Sequence, residues 1–416
     1  MNKPEILAPV GNRKMLVTAI KSGADAVYFG IDKLNMRAKA KNFTLENLGE
    51  VVDYCHRHNV DAHLTVNSIV YENELEELRE IIETGKDAGV DLFIAWDLGA
   101  IQLLKEYEVP FCISTQASIA NSASARFYKD LGAKRIVLAR ECTLEQIKEI
   151  KEKVDIEIET FVHGAMCVAV SGRCFMSHHA FGQSANRGEC VQNCRREYEI
   201  YDKRGGVSFL IGEDYVMSPK DLNTIEFIDL LIEAGIDSFK IEGRKRSPEY
   251  IATVISVYRR AIDLYSEGKL TPEIKKKMFV ELETVYNRGF SSGFYFGAPS
   301  GDEYSVGSGN QATTKKVYVG KVLNYYKKSK IAHVLLQAGD LGLNDKIYII
   351  GNSTGTVELS IDSLMKDESL VTEAEKGSEV TFACAETVRL NDQVYKIVAN
   401  NAANQPKDAL ASSSVS

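Results

Sequence analysis

The sequence predicts an α/β protein, a TIM-type (β/α)8 barrel followed by a small all-β C-terminal barrel. Three observations carry this prediction. Short apolar, β-branched runs recur eight times with helix-like stretches between them, as parallel βα units buried on both faces require. The triplets GAD, GVD, GAK and GID precede four of those runs, the turn expected where a Gly-capped helix returns to a strand. From about residue 315 the texture changes to closely spaced strands with Gly, Asn and Asp turns.

In order, EILAPV (5–10) and AVYFG (26–30) are continuous apolar runs, and LENLGEVVDYCHRH then takes up helical spacing. DAHLTVN (61–67) is followed by the amphipathic ENELEELREIIETGKDAG, LFIAWD (92–97), FCISTQ (111–116), and the helix-like SASARFYKDLGA. RIVLARE (135–141), TLEQIKEIKEKV, IEIETFVHG (156–164), NTIEFIDLLIEAG and SFKIEGR (238–244) complete the array. Eight units over about 250 residues is the size of a TIM barrel. A doubly wound open sheet is the alternative, and strand count weighs against it. SPEYIATVISVYRRAIDLYSEGK predicts a long helix, and NRGFSSGFYFG (287–297) a segment packing back over the barrel. KKVYVGKVLNYY, IAHVLLQAG, DKIYIIG, GTVELSIDSL, SEVTFACA and QVYKIVAN are the strands of the second barrel. The expected domains are therefore 1–305 with a Cys-rich insertion at 163–197, then 312–400, with a disordered tail at 401–416.

Composition restricts the function classes. At 416 residues, 44% hydrophobic and 26% charged, the chain reads as an ordinary globular protein. MNKPEILAPVGNRK lacks the apolar core of a signal peptide and no apolar run approaches the roughly 18 residues of a membrane helix, so a cytoplasmic location without a membrane partner is expected. A net charge of −8 argues against broad electrostatic binding to nucleic acid, while leaving GRKR (243–246) able to contact phosphates.

Chemistry in a TIM barrel sits at the C-terminal ends of the strands. That rule gathers Asn67, Asp97, Gln116, Arg140, Glu141, His163, Glu242 and Arg244 on one face. Arg37, Arg140, Arg244 and Lys245 are candidate clamps for carboxylate or phosphate, since a guanidinium suits bidentate contact. Asn67 and Gln116 are candidate readers of a base edge, and Glu141, His163 and Glu242 candidate proton carriers. The competing reading is structural, because an Arg beside a Glu is often a rim ion pair.

The segment HGAMCVAVSGRCFMSHHAFGQSANRGECVQNC opens onto the same face and holds four of the eight cysteines, Cys167, Cys174, Cys190 and Cys194. Under reducing conditions such a group reads as a metal or redox site rather than disulfides. Buried structural thiols are disfavoured because the segment is polar and rich in Gly, Ser and Asn. Zinc modules draw ligands in pairs about two to four residues apart, which only the last pair here matches, whereas an iron–sulfur cluster tolerates the irregular spacing. Arg173, Arg187, Arg195 and Arg196 then either offset cluster charge or form a solvated basic face. Cys55, Cys112, Cys142 and Cys384 lie singly in predicted helices and strands and read as structural. His163, four residues before Cys167, invites a weaker reading as a thiolate–imidazole pair.

EILAPVGNRKMLVTAIKSGADAVYFG, NMRAKAKNFT (35–44), STQASIAN (114–121), VLARECTLEQI (137–147) and ETFVHGAMCVAVSGRCFMS with NRGECVQNCRREY resemble the peptidase U32 family. The resemblance runs from residue 5 to about 300, and the C-terminal strands look like the β-barrel of its longer members. The family name implies collagenase-like proteolysis, but neither a Ser/His/Asp pattern nor HExxH is present. The chain is most similar to the tRNA hydroxylation members. That resemblance implies oxygen-independent conversion of the wobble uridine to 5-hydroxyuridine, prephenate as the dicarboxylate oxygen source and a 4Fe–4S cluster on Cys167, Cys174, Cys190 and Cys194, with zinc the alternative metal. It also implies tRNA as partner, with an accessory or second U32 subunit. The VGKV opening of the C-terminal strands and GDLGLNDKIYIIG resemble the second domain of translation factors, and Lys321, Lys327, Lys328 and Lys330 there form a candidate phosphate contact. Two other classes stand beside this reading, a peptidase using Cys167 and His163 and a non-catalytic iron–sulfur accessory protein.

Overall fold

The computed structural model describes residues 3–37, 43–196, 198–201, 203–204, 208–211, 218–299 and 309–400. Eight parallel strands close into a barrel: β1 (Glu5–Pro9), β2 (Ala26–Phe29), β3 (Asp61–Thr65), β4 (Leu92–Ala95), β5 (Phe111–Ile113), β6 (Arg135–Val137), β7 (Glu157–Ala165) and β8 (Ser238–Ile241). Consecutive strands pair in order, and β8 pairs with both β1 and β7, which leaves the barrel no edge. Each predicted strand of the array is one of these eight.

Helices run between the strands because the chain supplies a start signal after each of several strand ends. Asn12, Asp97, Asn121 and Thr143 each accept a backbone N–H of the first turn of α1 (Arg13–Lys21), α4 (Leu98–Glu106), α5 (Ser122–Asp130) and α6 (Leu144–Lys153). Thr143 and Gln146 form a reciprocal capping box. The apolar faces of α2 (Leu48–His56), α3 (Leu75–Asp87), α8 (Ile228–Glu233) and α9 (Pro248–Ser266) bury Val51, Val52, Ile81, Ile82, Leu231, Val254 and Tyr258. The long helix expected after the eighth strand is α9.

Seven of the eight strands end one to four residues earlier than the sequence suggests, and after two of them the chain turns across the rim. Predicted strand 111–116 stops at Ile113 and passes into a 3-10 turn at Thr115–Ala117, and predicted strand 135–141 stops at Val137. The chain leaves the barrel there because Ser118 turns into the left-handed region and an isolated bridge joins Ile119 to Leu138 above the strand ends. Gln116, Arg140 and Glu141 consequently sit on turns at the rim. A short strand, Asp221–Asn223, runs antiparallel to the end of β7 and pairs in turn with Phe290–Ser291, the first part of the segment expected to fold back over the barrel.

A second compact unit comprises Val280–Arg288 and, among the described residues, 309–400. It is an antiparallel sheet in which Lys346–Gly351, Gln393–Ala399, Thr314–Tyr326, Ile331–Leu336 and Glu379–Ala383 are neighbours in that order. Alternation places Val322, Val334, Ile347, Ile349, Phe382 and Val394 in its core. Lys327, Lys328 and Lys330 are exposed at one hairpin and Lys321 is half-buried. The predicted tail at 401–416 lies outside the described residues. Among the described residues no helix is long and apolar enough to cross a membrane.

Candidate active site at the barrel mouth

Period-two alternation sends every second strand residue into the barrel, and here many of those residues are charged. At the N-terminal floor Arg135 meets Glu5 at 2.6 Å, Glu157 at 2.8 Å and Glu159 at 3.4 Å. One layer higher, Lys240 donates to Glu159 at 2.6 Å and lies 4.5 Å from the Tyr28 ring centre. This column ends in a pocket open at the C-terminal rim, enclosing about 1200 Å3 including its open mouth.

The pocket brings together most of the residues chosen from sequence. Arg37, Asn67, Gln116, Arg140, Glu242, Arg244 and all four cysteines of the insertion line it. Arg37 Nη2 donates to Glu242 Oε1 at 3.0 Å, and the Tyr28 hydroxyl donates to Ile241 O at 2.8 Å and Glu242 Oε2 at 3.3 Å. Burial alone would raise the Glu242 carboxyl, but Arg37 and Arg140 more than offset it and hold it at about 2. Glu242 is therefore a fixed anion near neutral pH and a poor proton carrier. Conversely, Glu242 raises the Arg37 guanidinium above its ordinary value.

Arg140 lies 3.8 Å over the Phe161 ring and donates through Nη1 to Ala165 O at 2.7 Å, while its buried Nε has no hydrogen-bond partner among the described residues. Burial pulls its pKa down. Arg244 reaches Thr65 Oγ1 at 3.3 Å, and burial lowers it to about 10. The close fit around it explains Gly30, where a Cβ would stand 2.6 Å from Arg244 Nη2. Lys245 is exposed and outside the pocket lining, its pKa lowered by desolvation and by Arg37.

Asn67 and Gln116 use hydrogen-bonding groups within the wall. Gln116 donates to Asn67 O at 2.8 Å and accepts from the Ser114 hydroxyl, while Asn67 donates to Ser114 Oγ at 3.1 Å and accepts from Met36 N at 3.2 Å. Both amides are thereby oriented by the frame. Glu141 is exposed and outside the lining.

His163 is also outside the lining. Its ring sits between Tyr250, Tyr258 and Phe290, with the Tyr258 hydroxyl 3.4 Å from Nδ1, and burial followed by Arg246 lowers it to about 3. The β7–β8 register accounts for this. Lys240 is opposite Phe161 but Ile241 is opposite His163, so β7 carries an extra residue and the inward parity that serves Phe161 breaks. Gly164 completes the irregularity at φ +104°, where a Cβ would lie 2.5 Å from Glu242 O.

The insertion folds over the mouth through α7 (Met176–Phe181) and short 3-10 turns, pinned by Cys174 N to Asn186 Oδ1 at 2.9 Å and by Arg187 to Glu74 and Ile69 O. Cys167 is exposed, the other three are half-buried, and burial raises the Cys194 thiol, with Arg195 lowering it and Cys167, Cys190 and Cys174 raising it. The four thiols thus face one wall within electrostatic reach of Cys194. A single tetrahedral zinc needs thiolates about 3.8 Å apart, given a Zn–S bond of about 2.3 Å. Among the described residues no three of these sulfurs lie within 4.8 Å of one another. Glu5, Asp61 and His63 do gather that closely at the floor, but Arg135 already clamps Glu5 there. Cys55, Cys112, Cys142 and Cys384 are buried singly.

Sequence reading did not select Tyr28, Thr65, Phe161 or Lys240, which also line the pocket. Inward alternation along the predicted strands was the available signal for Tyr28, Thr65, Phe161 and Lys240.

The model of peptidase family U32 matches residues 11–304. Among curated relatives, a protein named collagenase from Porphyromonas gingivalis (strain ATCC BAA-308 / W83) is 40% identical over 95% of this chain and 98% of its own length. The tRNA hydroxylation protein P1 of Bacillus subtilis (strain 168) is 39% identical over 86% of each chain. The 23S rRNA 5-hydroxycytidine C2501 synthase of Escherichia coli (strain K12) is 34% identical over 85% of this chain and 54% of its own length.

Proposed function

This chain belongs to peptidase family U32, and from that membership and the composition of the barrel mouth we propose that it is an RNA-modifying enzyme that hydroxylates RNA without molecular oxygen. The substrate we infer is the wobble uridine of tRNA, converted to 5-hydroxyuridine, with prephenate as oxygen source. Relatives named for tRNA hydroxylation and for rRNA hydroxycytidine synthesis support the reaction class. The observation that carries the reading is one pocket holding four cysteines and a cationic wall together.

Cys167, Cys174, Cys190 and Cys194 would hold a 4Fe–4S cluster, the fit resting on four thiols lining one space, no three of which gather within 4.8 Å among the described residues. Such a cluster supplies electron transfer or a Lewis-acidic iron beside the substrate. The chain's own residues bind and orient. Arg140, whose buried Nε has no hydrogen-bond partner among the described residues, favours the carboxylates of a small dianion. Glu242 holds Arg37 in place as a permanent anion. Phe161 and Tyr28 give the pocket an apolar wall on which a flipped base packs. Proteolysis through Cys167 and His163 fits the geometry less well, since His163 is neutral and enclosed among aromatic rings away from the pocket wall.

Protein purified without oxygen should carry about four irons per chain and a broad visible band, both lost when any one of the four cysteines becomes Ala. tRNA from a deletion strain should lack 5-hydroxyuridine, and only the wild-type gene should restore it. Colourless, iron-free protein would remove the cluster reading, and unchanged nucleosides in the deletion strain would remove the tRNA substrate.

A further inference from the structure

The hydroxylation reading concerns the pocket; the rim around it has features that the reading does not use. Phe175 is 61% exposed, Phe181 44% and Tyr71 55%. They do not form one continuous apolar patch. Instead two of them are stacked by guanidinium groups, Arg187 at 4.5 Å from the Tyr71 ring centre and Arg196 at 4.8 Å from that of Phe181. Phe175 directly follows Cys174 of the pocket wall and lies 6.2 Å from the His179 ring. The insertion from 163 to 196 carries four Arg and a single Glu, in a chain whose net charge is −8.

We propose that Tyr71, Phe175 and Phe181 form a stacking platform for single-stranded RNA, receiving the bases that flank the nucleotide inserted into the pocket. The proposal rests on the RNA-modification reading and extends it to the way the loop is held. Exposed rings with Arg across them are the chemistry that grips unpaired nucleotides, because every base offers a π-face and the guanidinium serves both ring and phosphate. A pocket that takes one extruded base leaves its neighbours unstacked at the rim, where aromatic faces recover part of the lost stacking energy. The Arg excess of the insertion, in which Arg187 is already paired with Glu74, fits the phosphate backbone in a chain of acidic overall charge. A protein partner would instead favour a continuous apolar surface without stacked cations.

The test uses the full chain with its metal content intact and a labelled anticodon stem-loop RNA, read by fluorescence anisotropy. Phe175→Leu with Phe181→Leu keeps apolar bulk and removes the aromatic faces, so binding should weaken at least about tenfold, the scale of one lost base–ring stack. Phe175→Trp with Phe181→Trp should bind at least as well as wild type, and a fully paired duplex should compete poorly. Tyr71→Leu, on a separate loop, should weaken binding independently of any disturbance to the cysteine segment. Unchanged affinity in all Leu variants, with wild type binding the stem-loop, would overturn the platform and leave the hydroxylation reading standing. Loss on Ala substitution that Leu repairs as well as Trp would point to apolar docking of a protein and overturn it too. Failure of wild-type protein to bind the stem-loop would remove the platform and the tRNA reading together.

Discussion

The two ends of the barrel interior are both charged, and they differ in how the charge is closed. At the floor, Arg135 and Lys240 are ringed by Glu5, Glu157 and Glu159, every link at 3.4 Å or less, with Glu159 wholly buried. At the mouth, Arg37, Arg140 and Arg244 converge on one carboxylate, Glu242, and Arg140 keeps a buried Nε without a partner among the described residues. The floor is balanced and inert, whereas the mouth carries a cationic surplus that calls for an anionic ligand. Charge balance, rather than charge content, separates the plug from the site.

The largest expected effect breaks the balanced end. Arg135→Ala strands Glu5 without its counterion and leaves Glu159 to Lys240 alone, and should cost about 3–5 kcal/mol of unfolding free energy, read by urea denaturation. Arg140→Ala should do the reverse. Its unfolding free energy should move by about 1 kcal/mol, for the lost stack on Phe161, while RNA modification falls at least about a hundredfold with the cluster spectrum intact. If both variants lose stability equally, the mouth is as structural as the floor and the distinction fails.

This division was only partly legible in the sequence. The eight strands were, because each is a short apolar run bracketed by turn chemistry that reads locally. The cysteine wall was also legible, since its four members lie within one segment. The floor was not, because Arg135 and Glu5 are 130 positions apart and meet only when the barrel closes. His163 carried a misleading signal: it ends a strand, as catalytic residues of this fold do, but the extra residue in β7 turns it among aromatic rings. Glu141 misled for a simpler reason, since its strand ends at Val137 and leaves it exposed on a turn. Local patterning therefore identifies elements, while closure and register decide which side chains meet.

Acid titration gives a smaller effect that sharpens the contrast. His63, near the floor, is lowered to about 3 by burial and then by Arg135. The unfolded chain protonates this imidazole below pH about 6.5 while the folded one does not, so its contribution is complete above pH 6.5 and is lost as pH falls toward 3. Glu242 is depressed instead, and its contribution is lost only as pH falls from about 4.5 toward 2. Stability should therefore begin to decline near pH 6.5, through His63 together with His163, which is also lowered to about 3, before the mouth carboxylate titrates. His63→Gln should flatten the upper part of that decline by roughly a few kcal/mol. An unchanged slope between pH 6.5 and 4.5 would show that His63 does not set it.

The smallest effect concerns a rim residue that belongs to neither charge group. Asp97 stands at a strand end like the pocket residues, but its Oδ1 accepts from Gly99 N at 2.9 Å and Ala100 N at 3.3 Å, capping α4, and it does not line the pocket. Its work is therefore to fix the start of a helix. Asp97→Ala should lower the unfolding free energy by about 1 kcal/mol, Asp97→Asn should recover most of that, and neither should alter RNA modification measured well below the unfolding transition. Loss of modification in the Asn variant at unchanged stability would move Asp97 into the mouth. The active face would then extend to β4, beyond the cationic pocket.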